Sequence, residues 1–136
     1  MTREIFCDTS GFFALFNPRD PAYEKAFKCM KEFEGRVRIV TTEWVIGETC
    51  TLFVFRKKPH LVVSFLDYIE RSTALLSVNP DDFLLASAKK FIKQPAGEGY
   101  SFVDCISFCL MKERGIRQAL TTDKHFQKAG FEVLLS

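Results

Sequence analysis

Short β-rich runs alternate with longer segments of helical periodicity along the whole chain. Five runs are predicted to be strands: Ile5–Cys7, Val37–Val40, Leu75–Val78, Gln118–Thr121 and Phe131–Leu135. Parallel strands need helical crossovers of this kind, and right-handed crossovers place helices on both faces of a sheet. We therefore expect an α/β fold, a three-layer α/β/α sandwich with a mostly parallel, Rossmann-like central sheet.

The segments between these runs carry apolar residues at helical spacing. The first, Phe12–Phe16, ends before an Asn-Pro pair, and Pro21 is predicted to open the next helix, which Gly35 closes. Five further helices are predicted: Glu43 to Arg56, Pro59 through Ile69, Asp81 to Ile92, Ser101 to Gly115, and Asp123 to Ala129. The segment Gln94–Tyr100, rich in glycine, is the one clear loop, so residues 1–136 are predicted to form one domain.

Size and charge exclude several classes of protein. No apolar run approaches the ~20 residues that span a membrane, and the first residues enter a strand without a signal peptide, so a cytoplasmic location is expected. The net charge of +2 is too small to indicate nucleic-acid binding by bulk electrostatics, so any such binding requires a local site. The five cysteines are odd in number and scattered, which argues against a disulfide framework.

Four acidic residues are predicted to converge. Asp8 directly follows the first strand, and Asp123 directly follows the fourth. Asp104 lies in the first turn of the helix that begins at Ser101, and Glu48 lies among apolar residues in the helix after the second strand. Parallel sheets bind ligands at the carboxyl ends of their strands, so we expect the four carboxylates to gather at that edge.

Such a cluster of carboxylates has a clear chemical use. Two carboxylates ~4 Å apart repel by roughly 4 kcal/mol at an effective dielectric constant of 20, so a divalent cation is needed to offset the repulsion. Oxygen ligands without convergent His or Cys favour Mg²⁺ or Mn²⁺ over zinc. These ions bind phosphate oxygens and activate water for in-line attack, so the acids predict phosphodiester hydrolysis.

Each acid also has a purely structural interpretation. Asp8 and Asp123 are both suited to cap the helices that follow them, and Asp104 is suited to complement a helix dipole. Glu48 lacks such an explanation, because an unpaired glutamate on an apolar helix face is expensive to bury. The joint placement of the four acids, more than any one of them, carries the prediction of a site.

Four segments resemble motifs of the PIN domain, a family of metal-dependent ribonucleases. They are Ile5–Ser10, Thr42–Glu48, Ser101–Ile106 and Leu120–Phe126. The last two motifs, at this separation, are the specific ones, and the resemblance covers essentially the whole chain. In length the chain is similar to the VapC-type toxins of toxin–antitoxin pairs.

The resemblance implies a role for specific residues. By position in the motifs, the implied catalytic metal ligands are Asp8, Glu48, Asp104 and Asp123, with Ser10 and Thr121 in support. It further implies RNA cleavage with Mg²⁺ or Mn²⁺, a homodimer, and a small antitoxin protein that inserts a basic side chain among the acids. Glu43 is the implied metal ligand in place of Glu48 if the phase of their shared helix differs from the expected one.

Other functions fit the same acids. A PIN nuclease of RNA processing or decay would use them equally, and a non-catalytic protein-interaction module on this fold is a further alternative. A complete set of mutually repelling acids argues against the module. Among the phenylalanines, Phe12, Phe13 and Phe16 are candidates for a partner-binding face, and His125 is expected to pack or cap rather than to act in catalysis.

Overall fold

The structure, a computed structural model, describes residues 2–136 and contains one sheet of five strands within them. The strands are β1 (Arg3–Cys7), β2 (Val37–Thr42), β3 (Leu75–Val78), β4 (Gln118–Leu120) and β5 (Glu132–Val133). The helices are α1 (Thr9–Phe16), α2 (Tyr23–Phe33), α3 (Glu43–Phe55), α4 (Pro59–Arg71), α5 (Asp82–Ile92), α6 (Phe102–Arg114) and α7 (Lys124–Lys128). A short 3₁₀ helix, Pro95–Gly97, lies within the predicted loop.

The sheet has the strand order β3-β2-β1-β4-β5, and all four strand pairs are parallel. Helices α1 to α4 pack against one another, and α5 packs against α6, so the helices form two separate groups. The chain moves outward from β1 to β3 and then crosses back to β4, and right-handed crossovers therefore place the two groups on opposite faces. The predicted three-layer α/β fold is confirmed, with a sheet that is parallel throughout these residues.

The ends of several elements differ from the predicted ones. Helix α1 begins at Thr9 instead of Phe12, because the Asp8 side chain caps it. The prediction that Pro21 opens α2 is wrong. Pro21 lies instead in a turn in which Asp20 accepts hydrogen bonds from the backbone N–H groups of Ala22 and Tyr23, and the helix begins only after it.

The core is rich in aromatic side chains, and two residues that were candidates for a partner-binding face are buried in it. Phe12 packs edge-on against Phe65 at a centroid distance of 5.0 Å, and Phe13 stacks on Phe53 at 5.3 Å. Both Phe12 and Phe13 are buried, so they are not available to a partner. Phe16 is half-buried against Phe65. Among the residues described, no helix is long and apolar enough to cross a membrane.

Gly11 brings α1 into direct contact with the end of β4. A Cβ atom at this position would lie only 2.0 Å from the backbone oxygen of Leu120 and 2.9 Å from the Cys7 sulfur. We expect Gly11→Ala to destabilise the protein by about 1–3 kcal/mol, because the backbone must move to relieve the overlap. Urea denaturation measures the change. Gly47→Ala is the matched control, since a Cβ there meets nothing within 4 Å, and an equal loss in both variants would contradict the packing argument.

Candidate metal centre

Asp8 stands at the carboxyl end of β1 and is almost completely buried, with 6% of its surface exposed. Its Oδ1 atom accepts hydrogen bonds from the Gly11 backbone N–H at 3.1 Å and from the Ser10 hydroxyl at 2.9 Å. Asp8 therefore caps α1, as its structural interpretation predicted. Capping does not remove it from the candidate site, because the charge of Asp123 acts on the same carboxyl group.

Burial raises the pKa of Asp8 to about 7. The hydrogen bonds from Gly11, Ser10 and Thr121 lower this pKa, and the negative charge of Asp123 raises it. A raised pKa means that negative charge at this position is poorly compensated by the protein itself.

Asp104, Asp123 and His125 form a compact group at the ends of α6 and α7. One ligand atom from each of the three residues lies within 4.8 Å of the others. The His125 Nδ1 atom is 3.6 Å from Asp104 Oδ2 and 3.5 Å from Asp123 Oδ1. Burial raises the pKa of Asp104, the charges of Asp123 and Glu48 raise it further, and His125 lowers it. This acidic cluster could bind a divalent metal ion. The expectation that no histidine converges on the acids is wrong, because His125 belongs to the same group of possible ligands.

Helix caps hold these side chains in position. The Ser101 hydroxyl accepts a hydrogen bond from the Asp104 backbone N–H at 3.0 Å at the start of α6. Asp123 caps α7 by accepting a hydrogen bond from the His125 backbone N–H at 2.9 Å, which confirms its structural interpretation. Since the same bond brings His125 next to the cap, its imidazole lies beside both carboxylates.

Two hydroxyl groups connect the loop after β1 to the loop after β4. The Ser10 and Thr121 hydroxyl oxygens are 2.9 Å apart. Ser10 also accepts from the Thr122 backbone N–H at 3.0 Å, and Thr121 accepts from the Asp123 backbone N–H at 2.9 Å. Ser10 and Thr121 thus tie the backbone beside Asp123 to the side chain of Asp8.

Glu48 joins the cluster from α3. Its Oε1 atom accepts a hydrogen bond of 2.6 Å from the Thr9 hydroxyl, next to Asp8. Glu43 lies five residues earlier, which turns it about 140° around the helix from Glu48, so the two glutamates cannot face the same point. The argument that Glu48 would be expensive to bury is wrong, because Glu48 is exposed at the open edge of the site.

Of the four acids that the sequence singled out, the structure therefore places Asp104 and Asp123 in one compact group with His125. Asp8 and Glu48 lie outside that group: Asp8 is linked to the Asp123 backbone through the Ser10 and Thr121 hydroxyls, and Glu48 is bonded to Thr9, next to Asp8. Sequence reasoning missed the contact of Thr9 with Glu48 and the orientation of His125 toward two acids. The available signal for His125 was its position two residues after a capping aspartate, from which its own backbone N–H reaches the cap.

A surface cavity of about 750 Å³ lies at the other end of the sheet. Its wall includes Glu4, near the start of β1, which forms ion pairs with Arg38 and Arg114. These guanidinium groups keep the pKa of Glu4 below its usual range. Because Glu4 pairs with both arginines, this end of the sheet is occupied by a structural ion-pair network.

Comparisons with known proteins agree with this geometry. The family model of the PIN domain matches residues 5–132. The 23S rRNA-specific endonuclease VapC20 of Mycobacterium tuberculosis is 32% identical over 127 residues, which cover 93% of this chain and 95% of the relative, in both strains compared. The crystal structure of M. tuberculosis VapC20, described as a Sarcin-Ricin loop cleaving toxin, superposes with a TM-score of 0.82 at 31% identity, over 93% of this chain and 95% of that one.

The chain belongs to the PIN domain family. The predicted family is therefore confirmed, and the predicted function, an endoribonuclease of the toxin type, agrees with the VapC20 relatives. In this chain, the group formed by Asp104, Asp123 and His125 could hold a metal ion.

Proposed function

We propose that this protein is a metal-dependent endoribonuclease that hydrolyses RNA phosphodiester bonds as the toxin of a type II toxin–antitoxin pair. The observation that supports it most is the compact group of Asp104, Asp123 and His125, with the buried carboxyl group of Asp8 close enough to feel the charge of Asp123. A protein without use for a cation has no reason to retain such a group of repelling charges.

The residues fit a Mg²⁺ or Mn²⁺ ion. We propose that its ligands are Asp8, Glu48, Asp104 and Asp123, since carboxylate oxygens suit both metals. When bound, the ion would supply positive charge against the phosphate and make a water molecule more acidic. Ser10 and Thr121 orient the acids through the hydroxyl contacts described above.

The His125 imidazole has a separate part in this arrangement. It is 51% exposed, so it faces solvent on one side and two carboxylates on the other. Its Nδ1 atom lies 3.6 Å from Asp104 Oδ2, and the positive charge of the protonated imidazole lowers the pKa of that carboxyl group. We propose that His125 keeps Asp104 and Asp123 in place before a cation binds.

Exposed apolar residues on two neighbouring helices support a protein partner. Three large apolar residues on the adjacent helices α3 and α4 are strongly exposed, namely Val54, Phe55 and Val63. Such residues favour a protein contact, either with a second copy in a homodimer or with an antitoxin.

We also propose that residues 1–136 act as one PIN domain in the cytoplasm, where the RNA substrate is found.

Metal binding is expected to raise the melting temperature. A ligand at ten times its dissociation constant stabilises the native state by about 1.4 kcal/mol, which corresponds to roughly 4–6 °C for a chain of this length. Differential scanning fluorimetry with MnCl₂ or MgCl₂, against NaCl of equal ionic strength, measures the shift. EDTA should reverse the shift, and Asp123→Asn should lose most of it. An equal shift in NaCl would contradict a specific site.

Ribosomal RNA is the first substrate to test, because the relative VapC20, which aligns over 93% of this chain, is named for 23S rRNA. Primer extension on 23S rRNA treated with the protein and Mn²⁺ locates any cut, and a short unstructured RNA serves as comparison. A single metal-dependent cut supports the proposed function. Induced expression in a bacterial host separates a toxin, which arrests growth, from a nuclease of RNA processing, which does not.

A further inference from the structure

An exposed tryptophan borders the acidic cluster. Trp44 is the second residue of α3, directly beyond the carboxyl end of β2, and 42% of its surface is exposed. It is also the only tryptophan of the chain. A large aromatic side chain left this open beside a group of carboxylates is not explained by packing of the core.

The position of Trp44 follows from its contact with the first residue of α6 and from its place on α3. Its indole contacts the ring of Phe102 edge-on, at a centroid distance of 5.5 Å and an interplanar angle of 70°. Phe102 lies two residues before Asp104 at the start of α6. Glu48 lies four residues after Trp44, so both side chains project from the same face of α3. Trp44 is therefore held at the rim of the acidic cluster.

We propose that Trp44 is a substrate-binding residue on which an unpaired base of the RNA stacks, next to the phosphate that is cleaved. This inference rests on the proposed ribonuclease function and adds to it the form in which RNA is bound. The carboxylates nearby repel phosphate groups unless a cation is bound, whereas a nucleobase is uncharged and presents a flat π face to the indole. Stacking on Trp44 thus supplies affinity at the point where electrostatics alone opposes RNA.

Removal of the indole has a measurable effect on RNA binding. Base stacking on an aromatic side chain changes affinity by about 5- to 150-fold when the side chain is replaced by alanine. Trp44→Ala is expected to weaken RNA binding and to raise KM within this range. Trp44→Phe, which keeps a ring beside Phe102, is expected to recover part of the loss. A melting curve of each variant verifies that the fold is retained.

The matched control is Phe27→Ala. Phe27 has a similar exposure, 48%, but lies on α2 beside a groove formed with the first residues of β2, at the end of the sheet away from the acids. Its replacement is expected to leave RNA binding and cleavage unchanged. A loss in Phe27→Ala equal to that in Trp44→Ala would overturn the assignment, since it would indicate a general effect of removing exposed aromatic surface.

Intrinsic fluorescence gives a readout that does not depend on cleavage. Because Trp44 is the sole tryptophan, the tryptophan emission of the protein comes from the proposed stacking site. A mixed-sequence single-stranded RNA oligonucleotide is titrated into the protein in EDTA, and anisotropy of a labelled copy measures binding independently. Bound RNA should quench the emission, and a fully paired duplex of the same sequence should quench it less.

The outcomes separate the two proposals. Cleavage by the wild type together with unchanged binding in Trp44→Ala, or binding without quenching, would overturn the stacking proposal and leave the ribonuclease intact. Neither binding nor metal-dependent cleavage of any RNA would overturn both. Quenching, a 5- to 150-fold loss in Trp44→Ala and partial recovery in Trp44→Phe would establish the stacking site.

Discussion

Replacement of Asp104 by Asn is expected to reduce metal-dependent RNA cleavage by about 10²-fold or more. Even residues that only orient metal ligands typically change affinity or activity 10- to 100-fold, and a proposed ligand should exceed them. The substitution removes the negative charge but leaves the shape of the side chain nearly unchanged. The helix cap also survives, because Ser101 accepts its hydrogen bond from the backbone N–H of residue 104.

The chain offers a closely matched control for this result. Asp82 occupies the first turn of α5, as Asp104 occupies the first turn of α6, and it is exposed. Asp82→Asn therefore removes the same charge from the first turn of a helix outside the cluster and should retain full cleavage. Initial rates on one RNA with Mn²⁺ compare the two variants. Cleavage by Asp104→Asn at the wild-type rate would refute its assignment as a metal ligand.

Replacement of Asp8 by Asn is expected to stabilise the metal-free protein by about 2–4 kcal/mol at pH 8 while abolishing cleavage. The folded protein holds the Asp8 proton up to about pH 7, because burial raises its pKa, whereas the unfolded chain loses the proton at about pH 4. Between these pH values the folded state binds more protons, so its stability falls as the pH rises.

The asparagine variant does not titrate at this position and avoids this loss. An asparagine oxygen can also accept the hydrogen bonds from Gly11 and Ser10, so the cap of α1 should be retained. The gap in unfolding free energy between the variant and the wild type should therefore be largest above pH 7 and shrink as the pH falls toward 4. Urea denaturation in EDTA at pH 8 and pH 5 measures it.

Addition of metal gives this prediction its sharpest test. Millimolar Mn²⁺ should stabilise the wild type and not Asp8→Asn, so the difference between the two proteins should decrease or reverse. A variant that is less stable than the wild type at every pH, with and without metal, would mean that Asp8 is needed for capping alone.

The arrangement of the acids could be predicted because it follows from topology. Asp8 follows β1 directly and Asp123 lies three residues beyond the end of β4, and parallel strands bring their carboxyl ends to one edge whatever the details of packing. The caps of α1 and α7 could likewise be predicted, since a capping interaction involves residues only a few positions apart.

Packing between distant segments could not be predicted from the sequence. The exposure of Glu48, the burial of Phe12 and the contact between Trp44 and Phe102 each depend on how separate helices meet. Periodicity identifies an apolar face but does not say which part of it remains open beside a site. The prediction that Pro21 opens α2 was wrong for a related reason. Asp20 forms a turn that competes with the helix, and the helix propensity of the sequence does not indicate that turn.

The sequence by itself thus determined the order of strands and helices and the edge at which the carboxylates meet, because both depend on local pattern or on connectivity. Only the tertiary structure decided that Asp8 is buried, that His125 faces two acids and that Trp44 stands open at their rim. Burial and contact between distant segments arise from the packing of helices against the sheet, and no local pattern encodes them.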